Sequence, residues 1–259
     1  MKISIRGAIG VFIMMILIIF LVSTDFLAAE ETLPTPEEII AKNIEAMGGK
    51  KALEKIKNRK IVLSGKIVPM GIEAKLTYYQ ERPNKHYALT DLGTMGKERA
   101  GSDGKIAWVV SPFSGTRILE GEELANTLLQ NSFNGPDGYD TPYKMMKTEG
   151  VEQINGKDCY KVVKTPEIGT PRTIYYDKDN FLIVKAITES KSPQGKFKTE
   201  AYYDVYQKVD GILFPRKIIT FMMGQKYNEI SFDKIELNNE MPEGIFDTPE
   251  EIKAIMKEK

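Results

Sequence analysis

Few residues of the chain carry the chemistry of a reactive centre. There is one histidine, His86, and one cysteine, Cys159. His86 sits in Pro83-Asn84-Lys85-His86-Tyr87, beside a lysine and with no acidic residue in that stretch. A catalytic or metal role would need partners that the sequence does not display. A single histidine with a single cysteine cannot build a His/Cys zinc site, and one cysteine cannot close an intramolecular disulfide. Cys159, in Lys157-Asp158-Cys159-Tyr160, has no histidine other than His86 to activate a thiol nucleophile. The acidic pairs Glu37-Glu38, Glu122-Glu123 and Glu250-Glu251 stand at the starts of helical segments, where the positive end of the helix dipole accounts for them. The sequence holds no GxSxG elbow, HExxH, Walker loop or dinucleotide fingerprint. The expectation is a protein without catalytic residues, metal or cofactor.

What the residues do offer is apolar contact. Trp108 is the sole tryptophan, with Ile106 and Val110 on its side of an alternating stretch. It serves either as a wall of an apolar cavity or as ordinary core. Tyrosines recur at 78, 79, 175, 176, 202, 203 and 206, as strand preference alone would place them. Met145-Met146 and Met222-Met223 suit either gap-filling or contact with an irregular apolar ligand.

Composition sets the frame for that chemistry. The 259 residues carry 36 Lys+Arg against 36 Asp+Glu, a net charge of zero that argues against a nucleic-acid binder. With 42% hydrophobic and 28% charged residues the chain is not disordered. Lys2 and Arg6 precede an uncharged run of 16 residues, Gly7 to Val22, and then Phe26-Leu27-Ala28-Ala29. That order is a secretory signal with cleavage after Ala29. The alternative is an uncleaved N-terminal anchor, although the run is short of the roughly 20 residues of a membrane span. Residues 30–259 then form one exported, near-neutral domain in the periplasm or its equivalent, since no linker divides them.

The elements that must position these residues are a few helices and many hairpins. Thr35-Pro36-Glu37-Glu38 opens a helix with a cap, a first-turn proline and a capping-box glutamate, and Gly48-Gly49 stops it. Its stripe is Ile39, Ile40, Ile44 and Met47. A second helix spans 50–57. Ile61, Leu63, Gly65 and Ile67 then alternate with polar neighbours, as do Ile72, Ala74, Leu76 and Tyr78 after a turn at 69–71. Asp103-Gly104 turns into 106–110, and a helix at 121–130 carries Leu124, Leu128 and Leu129. The breaker cluster 131–140 follows it. Strands resume at Tyr143, turn at Asn155-Gly156, and run on through 174–176, 181–187, 202–209, 213–222 and 227–237, before a charged helix over 249–259. About ten strands in sequence-neighbour pairing predict an antiparallel meander, and a sheet that large curls. The fold class is mainly β (α+β): a large curved antiparallel sheet, or half-barrel, with helices covering its concave face.

The stretch Asn43-Ile-Glu-Ala-Met-Gly-Gly-Lys-Lys-Ala-Leu-Glu-Lys-Ile-Lys57, leading into Ile61-Val-Leu-Ser-Gly-Lys-Ile67, resembles the start of outer-membrane lipoprotein-sorting proteins of the LolA/LolB-like superfamily. So do Ser102-Asp-Gly-Lys-Ile-Ala-Trp108, Tyr202-Tyr-Asp-Val-Tyr-Gln-Lys-Val-Asp-Gly-Ile-Leu-Phe-Pro215 and Met241-Pro-Glu-Gly-Ile-Phe-Asp247. The resemblance spans most of residues 36–248 and implies a half-barrel lidded by helices, holding lipid or the acyl chains of a lipoprotein, with envelope proteins as partners. The expected cavity is lined by Leu63, Ile67, Leu76, Tyr78, Trp108 and Val110 on the sheet, and by Ile44, Leu124 and Leu128 on the helices. The alternative is a non-catalytic envelope accessory domain whose hollow is filled by its own side chains.

Overall fold

The computed structural model describes residues 32–167, 170–192 and 195–257. The expected signal segment and its cleavage point lie outside them. Helix α1 (Pro36–Met47) begins as its sequence requires: Thr35 accepts from the Glu38 backbone N–H at 3.2 Å, and Glu38 accepts from the Thr35 N–H at 2.8 Å. Gly48, with φ +129°, ends it, and a Cβ there would lie 2.8 Å from the Gly211 carbonyl oxygen. Helix α2 covers only Lys50–Glu54.

Strands β1 (Asn58–Ile67), β2 (Ile72–Glu81), β3 (Lys85–Asp91), β4 (Lys97–Ser102), β5 (Ala107–Ser111) and β6 (Gly115–Ile118) follow as hairpins. Helix α3 (Gly121–Gln130) comes next, then β7 (Tyr143–Ile154), β8 (Lys157–Pro166), β9 (Arg172–Asp177), β10 (Ile183–Ser192), β11 (Gly195–Val209), β12 (Ile212–Met222) and β13 (Gln225–Leu237). Helix α4 (Glu250–Lys257) ends the order. Among the described residues the strands make one open 13-stranded sheet in the order β6-β5-β4-β3-β2-β1-β13-β12-β11-β10-β9-β8-β7. Every paired neighbour is antiparallel, and β1 meets β13 in the middle.

That order leaves β6 and β7 at opposite edges. They are consecutive in the chain, so the segment between them must cross the whole sheet. Helix α3 and residues 131–142 are that crossing. Glu123 pairs with Arg117 on β6, Asn131 meets Tyr78 on β2, Arg59 on β1 holds the Phe133 carbonyl, and Asp137 reaches Arg172 on β9. The breaker cluster is thus a strap over the inner, concave face.

Cross-strand register assigns the faces. Ile61 pairs with Tyr78 and Ile235, Leu63 with Leu76 and Phe232, and Ile67 with Ile72, all on the inner face. Continuing through β3 and β4, Tyr78 pairs with Ala88, Ala88 with Ala100, and Ala100 with Val109. Trp108 and Val110 therefore point outward, opposite the face expected for them. Trp108 lies against Gly101, whose missing Cβ would sit 2.7 Å from the indole, and beside Tyr87 with ring centres 6.1 Å apart. It is nonetheless 1% exposed. The C-terminal segment covers that outer patch: α4 packs on β6, its Ile252 is buried, Glu251 pairs with Arg99, and the Lys85 ammonium lies over the Phe246 ring.

Candidate functional site

The inner face carries two filled clusters and one half-covered stretch. Under α1, Ile39 buries with Val162, Ile174, Tyr176 and Ala186. The second cluster lies under the strap. Ile56, Ile61, Ile212, Phe214, Ile235 and Leu237 bury together around Phe133 of the strap, with Leu63, Tyr78 and Phe232 packed alongside. Phe133 lies between two guanidinium groups, those of Arg59 at 4.7 Å and Arg82 at 4.2 Å from its ring centre. Hydrogen bonds hold the strap here. Arg59 donates through Nε to Gln80 Oε1 and through Nη2 to the Phe133 carbonyl, both at 2.7 Å. Gln80 Nε2 donates to the Asn131 carbonyl at 3.0 Å, and the Tyr78 hydroxyl to Asn131 Oδ1 at 2.8 Å. Burial lowers the Arg59 pKa to about 10 and raises that of Tyr78.

The remaining stretch is only half covered. Ile67, Ile72, Leu76, Ile218 and Ile230 are inner-face residues of the central strands, and none is fully buried. Helix α3 crosses the neighbouring strands with Leu124, Leu128 and Leu129 half-buried and no buried residue at all. Its visible anchors are the bidentate Arg117–Glu123 pair, at 2.7 Å in both bonds, and Asn131 at its end. An amphipathic helix that buries nothing leaves apolar surface on both itself and the sheet.

Of the expected cavity residues, Leu63, Ile67, Leu76 and Tyr78 share the inner face. Ile44 is half-buried on α1, and Leu124 and Leu128 lie half-buried on α3. Trp108 and Val110 do not belong with them, for the register reason given above. His86 is buried on the inner face opposite Gln80 and Ser102, and desolvation lowers its pKa to about 4. Cys159 is buried on the outer face, and desolvation raises its thiol pKa to about 11. No group of three or more His, Cys, Asp or Glu residues suited to a metal is found among the described residues. An open hollow of about 800 Å3 is bordered by Ser64, Lys66, Glu73, Lys75, Lys226 and Glu229. These charged side chains are at outward positions by register, with Gly65, Val68 and Ala74 between them.

The sequence reading missed a second polar group on the inner face. Lys164 on β8 is directly opposite Arg172 on β9. Arg172 donates through Nε and Nη2 to the two carboxylate oxygens of Asp137, each at 2.8 Å, and through Nη1 to Thr188 Oγ1 at 2.8 Å. The signal was present: Tyr160, Val162 and Lys164 fall on one face of a period-two strand whose first two members are apolar.

No family model matches the sequence, and no curated protein does either. Solved structures do match in shape. A LolA superfamily protein from Nitrosomonas europaea is 16% identical, with a TM-score of 0.56 over 83% of this chain and 99% of that one. A DUF1329 family protein from Desulfovibrio piger is 15% identical, with a TM-score of 0.56 over 82% and 96%. A domain from Vibrio parahaemolyticus classed as an outer-membrane lipoprotein-sorting protein is 12% identical, with a TM-score of 0.54 over 85% and 97%. At these identities the likeness is one of fold, and the fold of this chain is the LolA type.

Proposed function

We propose that the mature protein is an exported, non-catalytic binder of a hydrophobic ligand, a lipid or the acyl chains of a lipoprotein, held between the half-covered inner face and α3. The observation that carries the reading is α3 itself: a leucine-striped helix laid over a partly apolar sheet without burying a single residue. Such a helix opens at low cost, as a lid over a bulky ligand must. The lipoprotein-sorting class of the Vibrio parahaemolyticus neighbour supports acyl chains as cargo and the envelope as location. The charge order of residues 1–29 supports export, with an uncleaved anchor as the other outcome of N-terminal sequencing.

A second reading, an accessory domain with a filled hollow, is favoured by Phe133 and its packed surroundings under the strap. Titration with a fluorescent fatty-acid probe separates the two. Saturable binding that Leu128→Glu weakens, with strand content unchanged by circular dichroism, supports the binder. Wild-type protein with no saturable binding at micromolar concentration hands the function to the accessory reading.

A further inference from the structure

Lys164 is 0% exposed, and its Nζ has no hydrogen-bond partner. A buried ammonium without a partner is costly and calls for an explanation. The rings beside it carry no charge to neutralise it. The Tyr143 and Tyr176 rings lie 5.2 and 5.5 Å from Nζ, and the cation directly across the ladder is Arg172. Like charges placed opposite each other on one face destabilise a sheet. The one carboxylate in the group, Asp137, already takes both of its oxygens to Arg172. Two cations and one carboxylate leave the cluster one positive charge in excess, inside the fold. Burial lowers the Lys164 pKa to about 8, with Asp137 opposing the fall and Arg172 adding to it.

The place of this excess charge matters. Lys164, Arg172 and Thr188 occupy one row of the inner face, and the next row is Val162, Ile174, Ala186 and Ala201, the first three of them buried under Ile39 of α1. That second row leads through Thr220 on β12 and Asn228 on β13 toward Ile67 on β1. From β8 to β12 is four strand spacings of about 4.8 Å, about 19 Å in all, the reach of a long acyl chain. Among the described residues the acidic partner is Asp137 on the strap, so moving the strap would free Arg172 beside Lys164.

We propose that Lys164, with Arg172 beside it, is the headgroup site for a singly anionic amphiphile, a carboxylate or phosphate diester whose chain enters beneath α1 and runs on toward the half-covered inner face. This rests on the hydrophobic-ligand reading and adds to it the charge of the ligand. Calorimetric titration of the whole mature protein with dodecanoate and with dodecanol tests it. Wild-type protein should bind dodecanoate at least about tenfold more tightly, the worth of one charged hydrogen bond. Lys164→Met should abolish that preference and leave dodecanol binding unchanged. Equal binding of the two by wild-type protein, or a preference that survives Lys164→Met, overturns the headgroup site and leaves the hydrophobic-ligand reading standing. The wild-type pair decides even where the variant fails to fold. Displacement of dodecanoate by millimolar inorganic phosphate would make the site one for free anions and overturn the amphiphile. Saturable binding of neither ligand overturns both readings.

Discussion

His86 shows what burial alone does to a residue that looks chemically promising in the sequence. It is 3% exposed, its Nδ1 has no hydrogen-bond partner, and its pKa falls from 6.5 to about 4. Above pH 6.5 the ring is neutral in both folded and unfolded chains and contributes no difference. As pH falls from 6.5 toward 4 the unfolded chain takes up a proton that the folded one refuses, so stability is lost across that window. A shift of this size corresponds to on the order of 3 kcal/mol. Urea midpoints measured from pH 4 to 7 should fall with acidification, and His86→Gln should flatten that slope; equal slopes would remove His86 as the cause. Lys164 has the same sign at higher pH. Replacing it by methionine should raise stability at pH 7 by about 1–3 kcal/mol, as judged by the urea midpoint. Neither orphan atom could be read from the sequence, because the residues that bury each group are not its sequence neighbours.

At the scale of elements, the strap and the C-terminal helix do work that their sequences conceal. Residues 131–142 read as a breaker-rich loop because Asn, Gly, Pro and Asp dominate them. Only the strand order shows that they must cross the sheet, and that Phe133 is the residue that anchors them. Phe133→Ala should cost about 3–5 kcal/mol and raise amide exchange across 131–142. Unchanged exchange there would mean that the hydrogen bonds of Arg59, Gln80 and Tyr78 suffice without the ring. Helix α4 reads as a charged tail, yet its Ile252 is fully buried where the C-terminal segment covers the Trp108 patch. Ile252→Ala should cost about 2–4 kcal/mol and shift the emission of the sole tryptophan to the red. An unshifted spectrum would mean that α4 does not shield Trp108. The capping box of α1 and the bounds of α3 were legible in full, because caps and stripes are local signals.

For the whole molecule, the curved antiparallel sheet was legible from alternation in β1, β2 and the strands after β7. Strands β3, β4 and β6 were not. Lys85–Asp91 and Lys97–Ser102 place His86, Ala88, Ser102 and Ala100 inward, so polar and small residues replace the apolar period, and Gly115–Ile118 is only four residues long. Missing β3 and β4 also put Trp108 on the wrong side, since face parity is inherited strand by strand through register. The candidate site was legible as far as Leu63, Ile67, Leu76 and Tyr78, and illegible at Lys164 and Arg172, where the strand pattern carries charge inward. The central claim is that the half-covered inner face holds an amphiphile. Native mass spectrometry of the mature protein, purified without added detergent from its own cell envelope, tests it most directly. The expected spectrum shows one bound lipid-sized ligand, released on denaturation and lost in Leu128→Glu. A wild-type spectrum at the bare mass of the mature chain alone would contradict it.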